Sequence, residues 1–142
     1  MEPDYLTSGT LIKQIDDEFT KEANSILRPV GLTVSQARIL LLLDRAPGCE
    51  LTLKELEPLA HVSQQTCAGN VARLVEKGFL DTSRDREDRR TKHIRLTKKG
   101  RSSMEPVRDC MRQAERLVFG SLSEGERREL TRLLRRVRDH MK

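Results

Sequence analysis

Gln64, Gln65, Thr66 and Asn70 crowd into one short segment, SQQTCAGN at Ser63–Asn70. A Gln or Asn amide carries an acceptor and a donor side by side, the pattern that pairs with an adenine edge in the major groove of duplex DNA. Threonine adds a hydroxyl and a methyl that suits thymine. Ser63 opens the segment, and Arg73, a turn beyond it, suits a phosphate contact. A second segment, RDREDRRTKHIRLTKKGR at 84–101, holds nine Lys/Arg against three Asp/Glu. Its arginines Arg86, Arg89 and Arg90 are always charged and weakly hydrated, which suits insertion into a narrow, electronegative minor groove. Asp88 opposes DNA by its sign, but it can hold a neighbouring arginine in one orientation through a bidentate pair.

No other constellation points to chemistry. His61, His93 and His140 do not share metal-ligand spacing, and no Cys-x-x-Cys or His-x-x-x-His pair occurs. Neither a phosphate-cradling glycine loop nor a nucleophile–base arrangement can be assembled. The sequence therefore predicts no catalytic residues, no metal and no cofactor. Cys67 and Cys110 read as packing residues, and three scattered cysteines make no disulfide framework.

Charge supports a polyanionic partner. The net charge is +5, yet residues 84–101 alone sum to +6, against −3 for residues 1–32. No apolar run approaches the ~20 residues of a membrane span. The opening MEPDYLTSG lacks the basic start and apolar stretch of a leader, so a cytoplasmic protein without a membrane partner is expected. With no Trp, one Tyr and three Phe, stacking on single strands is not a workable mode.

A helix end and a projecting loop must position these groups, and the flanking sequence supplies both. Leu11, Ile12, Ile15, Phe19, Ala23, Ile26 and Leu27 recur at helical spacing, predicting a helix over 8–28 that Pro29 and Gly31 end. TVSQ at Thr33–Gln36 has capping-box form and opens a very apolar helix, expected to be buried nearly all round. TLKE at Thr52–Glu55 caps a short helix with Leu53, Leu56, Leu59 and Ala60 inward. After a break at His61-Val62, Ser63 caps another, with Cys67, Val71, Leu74 and Val75 inward and the polar set outward. Gly78 stands in the usual C-terminal position. Residues 79–83 and 92–96 read as two short strands around the charged loop. Thr97 can cap a long helix to about Phe119, and SEGE at Ser123–Glu126 opens a last one with Leu130, Leu133, Leu134 and Val137 on one face.

The predicted fold class is mainly α with a small β-hairpin wing: a winged helix-turn-helix domain plus N- and C-terminal dimerisation helices. One domain of 142 residues is expected, with a DNA-binding lobe over 33–100 and a dimerisation region from the helices of 8–30 and 100–142.

In that order, the phrases GLTVSQARILLLL, LKELEPLAHVSQQTCAGNVARLVEKGFL, RDREDRRTKHIRLTKKG and LSEGERRELTRLLRRV resemble the multiple antibiotic resistance regulator (MarR) family over essentially the whole chain. The resemblance implies a homodimeric transcription regulator, usually a repressor, with helices from both chain ends at the dimer interface. It implies that Asp88-Arg89 matches the wing signature, its arginine entering the minor groove. Effectors of the family include phenolic small molecules, oxidants and metals. Its peroxide-sensing members use a cysteine near the N-terminus, and this chain has none before Cys49.

Two functions from different classes fit these features. One is a sequence-specific regulator on double-stranded DNA, binding a pseudo-palindromic operator and responding to an aromatic or phenolic effector. The other is a winged helix serving as a protein-interaction or architectural module with only non-specific DNA binding. The amide-rich face Gln64–Asn70 favours the first, because a purely electrostatic binder needs only Lys and Arg there.

Overall fold

The computed structural model describes residues 7–142. The reading of Met1–Leu6 as lacking a leader lies outside them. Seven helices and three strands follow one another as α1 (Ser8–Leu27), α2 (Val34–Arg45), β1 (Glu50–Thr52), α3 (Leu53–Ala60), α4 (Gln64–Glu76), β2 (Leu80–Arg84), β3 (Lys92–Leu96), α5 (Lys98–Ser102), α6 (Met104–Phe119) and α7 (Glu124–His140).

Local signals place most boundaries. Thr33, Thr52 and Ser123 each accept a hydrogen bond from the backbone N–H three residues on, and Gln36, Glu55 and Glu126 reciprocate, so all three capping boxes form. Such caps are worth about 1 kcal/mol each. The chain leaves the first helix through a 3-10 turn at Arg28–Val30 and reverses at Gly31, whose φ of 77° requires glycine. Gly78, at φ 86°, does the same after α4.

The core lies where α1, α2, α4, α6 and the sheet meet, around Leu27, Ile39, Leu40, Leu43, Leu56, Leu74, Ile94 and Leu96, all at most 1% exposed. α2 runs through it, but burial is one-sided: Leu41 and Leu42 are half-buried and Arg38 and Arg45 exposed, correcting the expectation of a helix buried all round. Leu59 and Val75 also prove exposed rather than inward. The helix expected from Thr97 to Phe119 is broken at Ser103 into α5 and α6. Gly100, beneath that break, sits where an added Cβ would lie 2.3 Å from the Phe79 carbonyl oxygen, so only glycine lets α5 settle onto the sheet.

The expected two-stranded hairpin is a three-stranded antiparallel sheet of order β1-β3-β2. Leu51 pairs with Ile94 on one side, and Thr82 pairs with the same Ile94 on the other. β1 is three residues long, too short to show alternation, and it becomes a strand only because β3 offers it an edge.

α7 stands apart. None of its residues is buried, and Leu133, Leu134 and Val137 are 42%, 42% and 57% exposed. Leu11, Ile12 and Ile15 on α1 are exposed to a similar degree. No single helix among the described residues is long and apolar enough to cross a membrane.

Candidate nucleic-acid interface

α3 and α4 meet through a tight turn. His61 closes α3 in the left-handed region at φ 52°, and Ser63 caps α4. Ser63 Oγ accepts from the Thr66 backbone N–H at 3.1 Å and donates to Thr66 Oγ1 at 2.9 Å. Ser63 is thereby committed to holding the helix end, while Thr66 keeps its own hydroxyl proton to donate. Gln64, Gln65, Thr66 and Arg73 are exposed.

Asn70 is not with them. At 7% exposure it is turned inward, correcting its assignment to the reading face. The reason is its spacing: Asn70 lies three residues after Cys67 and four before Leu74, both fully buried, so it shares their row. The same spacing reveals what polarity concealed. The outward row centred on Gln65 continues through Ala68, Gly69 and Ala72, of which both alanines are exposed. Small side chains there let a surface approach the helix closely, and alanine methyls suit thymine.

The wing is built by carboxylates. Asp85 Oδ1 accepts from the backbone N–H of Glu87 at 2.8 Å and of Asp88 at 3.2 Å, folding the loop back on itself. Asp88 accepts from the Arg90 backbone N–H at 3.0 Å, from Arg90 Nε at 3.3 Å and from Thr91 Oγ1 at 3.3 Å. The arginine it holds is therefore Arg90, through one nitrogen, and not Arg89 through two. Arg86 and Arg89 project without an acidic partner among the described residues, and all three arginines are exposed.

A contact that the sequence did not announce ties the wing to the sheet. His93 on β3 lies between Asp85 Oδ2, 3.0 Å from Nε2, and Glu50 Oε2, 3.4 Å from Nδ1, while Arg95 approaches the other Glu50 oxygen at 3.6 Å. The hydrogen bond to Asp85 raises the His93 pKa, and Glu50 adds to it. Asp85 is lowered in return, first by His93 and then by its two backbone donors.

Behind α4 is a cavity of about 1010 Å³ between α2, the α3–α4 turn and α6. Ile39, Leu41, Leu42, Leu59, Val62 and Met111 give it an apolar lining, and six arginines face two carboxylates around it. Arg108 pairs with Asp44, Arg127 with Glu115 at 3.2 Å and Arg112 with Asp109 at 2.7 Å. Arg45 and Arg116 have no acidic partner among the described residues. Burial pushes the thiols of Cys67 and Cys110 up, keeping both protonated, and Cys67 is fully buried as core. Among the described residues no three His, Cys, Asp or Glu side chains group as metal ligands would.

A sequence profile of the MarR family matches residues 30–91. The chain is 30% identical over 128 residues to the uncharacterized HTH-type transcriptional regulator YwoH of Bacillus subtilis, covering 88% of this chain and 91% of that one. It is 35% identical over 96 residues to the HTH-type transcriptional repressor NicR of Pseudomonas putida, which spans 68% of this chain and 59% of NicR. The solved structure of BpsR from Bordetella bronchiseptica, whose DNA binding is regulated by 6-hydroxynicotinic acid, superposes with a TM-score of 0.84 at 25% identity over 98% of each chain.

Proposed function

The chain belongs to the MarR family of winged helix-turn-helix, DNA-binding transcription regulators, and from that premise we propose that it is a cytoplasmic repressor that binds a pseudo-palindromic operator as a homodimer. Residues 33–100 form the DNA-binding lobe in this reading, and the helices of 8–30 and 100–142 the dimerisation region. α4 enters the major groove, where Gln64, Gln65 and Thr66 read base edges and Arg73 meets phosphate. Arg89 enters the flanking minor groove, while Arg86 and Arg90 neutralise phosphates. Asn70 is excluded from base contact, and Ser63 and Asp88 act by shaping the elements that do touch DNA.

The observation that carries this reading is the start of α4, where Gln64, Gln65 and Thr66 are exposed with small residues behind them, beside a wing whose Arg86 and Arg89 have no acidic partner among the described residues. Dimerisation is supported by the two uncovered apolar stripes on α1 and α7, which a second copy would bury. Repression is supported by the similarity to the NicR repressor.

The cavity is the site for an effector. Its apolar lining and excess of arginines fit a small aromatic or phenolic acid, and BpsR offers a parallel of that chemical class. Selection from a random duplex library tests the reading. Enrichment of a two-fold symmetric sequence with half-sites about one helical turn apart is expected, and equal affinity for all duplexes would indicate the architectural alternative.

A further inference from the structure

Two polar side chains in the described protein are buried, and they differ in one respect. Gln36, 3% exposed, is held by the protein through its oxygen: Oε1 accepts from the Thr33 backbone N–H at 3.2 Å and from Lys77 Nζ at 2.9 Å. Asn70, 7% exposed, lines the cavity and makes no hydrogen bond with any described residue. Neither of its amide atoms is sealed off without a partner, so both open toward the cavity space. An amide so placed makes its hydrogen bonds with whatever fills the cavity rather than with neighbouring protein groups. Asn70 is therefore a polar group whose bonding is left to the cavity's contents.

Its position adds a consequence. Asn70 belongs to α4, and the opposite side of that helix carries Gln65 and Ala72. A group bonded to Asn70 acts on the reading helix directly, with no intervening element.

We propose that Asn70 is the specificity-determining residue of the cavity. Its amide forms paired hydrogen bonds with a lactam-like donor–acceptor edge of a planar carboxylate ligand, whose carboxylate is met by the unpartnered Arg45 and Arg116. This rests on the reading of the cavity as an effector site. An Asn side chain presents an acceptor and a donor side by side, so a ligand edge with the reverse pair satisfies both at once, whereas a lone hydroxyl satisfies one. The arginines attract any aromatic acid, and Asn70 selects among them. The bond also makes α4 position depend on occupancy, since a ligand shifts a conformational equilibrium by its differential affinity for the two states.

Two probes test this by titration calorimetry: 6-hydroxynicotinate, whose pyridone form carries a lactam edge opposite its carboxylate, and nicotinate, which lacks that edge. Wild type should bind the first at least tenfold more tightly. In Asn70→Leu the two should come within twofold, and nicotinate affinity should hold. 6-Hydroxynicotinate should weaken operator binding by wild type and leave that of Asn70→Leu unchanged. Asn70→Ala serves as the second variant should leucine disturb folding. Equal binding of both acids by wild type, or discrimination that survives in both variants, overturns the role of Asn70 and leaves the cavity an effector site. Binding of neither acid overturns the effector reading and this inference together.

Discussion

Asp88→Ala should weaken operator binding although it makes each wing more positive. Asp88 joins three donors at the wing tip, two from Arg90 and one from Thr91 Oγ1, all at 3.0–3.3 Å and all at the surface. Its side chain is 50% exposed, so these bonds count at the low end of the usual ~0.5–1.5 kcal/mol range. Losing about 0.5–1 kcal/mol of wing order per protomer gives about 1–2 kcal/mol per dimer, or roughly 5- to 30-fold in affinity. The added charge works the other way, but at physiological salt it is screened beyond about 8 Å. Fluorescence anisotropy on one selected duplex at three salt concentrations separates the two effects. Arg89→Ala is the companion: the cation lost from each minor groove should reduce the magnitude of the slope of log affinity against log salt by up to about 1.8, the value for two counterion-displacing charges. Asp88→Ala should lose affinity with its slope intact. Tighter binding by Asp88→Ala would refute a tip ordered by its carboxylate and leave a plain electrostatic wing.

Gln65→Ala should lose about 1–3 kcal/mol on the selected site and relax one base position in each half-site, read by competition with single-base variants; equal weakening on every duplex would make it a backbone contact. Paired Leu133→Asp and Leu134→Asp substitutions, or removal of residues 122–142, should convert a micromolar dimer to monomer in sedimentation while leaving the core folded. A monomeric wild-type protein would contradict the two-copy reading. His93 gives a pH dependence: its pKa is raised above the ordinary 6.5 by Asp85, so its contribution is complete below about that value and is lost as pH rises through the raised one. Operator affinity should accordingly fall as pH climbs above 6.5, and His93→Gln should flatten the profile; a wild-type profile already flat would remove His93 from wing ordering.

The elements were legible in the sequence wherever the cause is local. Thr33 with Gln36, Thr52 with Glu55 and Ser123 with Glu126 close hydrogen bonds within one turn, and Gly31 and Gly78 mark left-handed exits, so neither depends on the rest of the fold. α4 and the wing were legible as elements for the same reason, since Ser63 caps the helix within one turn and the charged loop joins two short strands. Asn70 shows the limit of that logic. Polarity assigned it to the outside, whereas helical spacing from Cys67 and Leu74, already present in the sequence, puts it inside. What only the tertiary structure decided is long-range. Glu50–Thr52 becomes a strand by pairing with residues more than forty positions away, and His93 meets Glu50 through that same pairing. The cavity has walls from α2, α6 and the α3–α4 turn, brought together by burial of a shared core. Such contacts form when distant segments pack, and packing answers to shape and volume across the whole domain rather than to any neighbouring residue type.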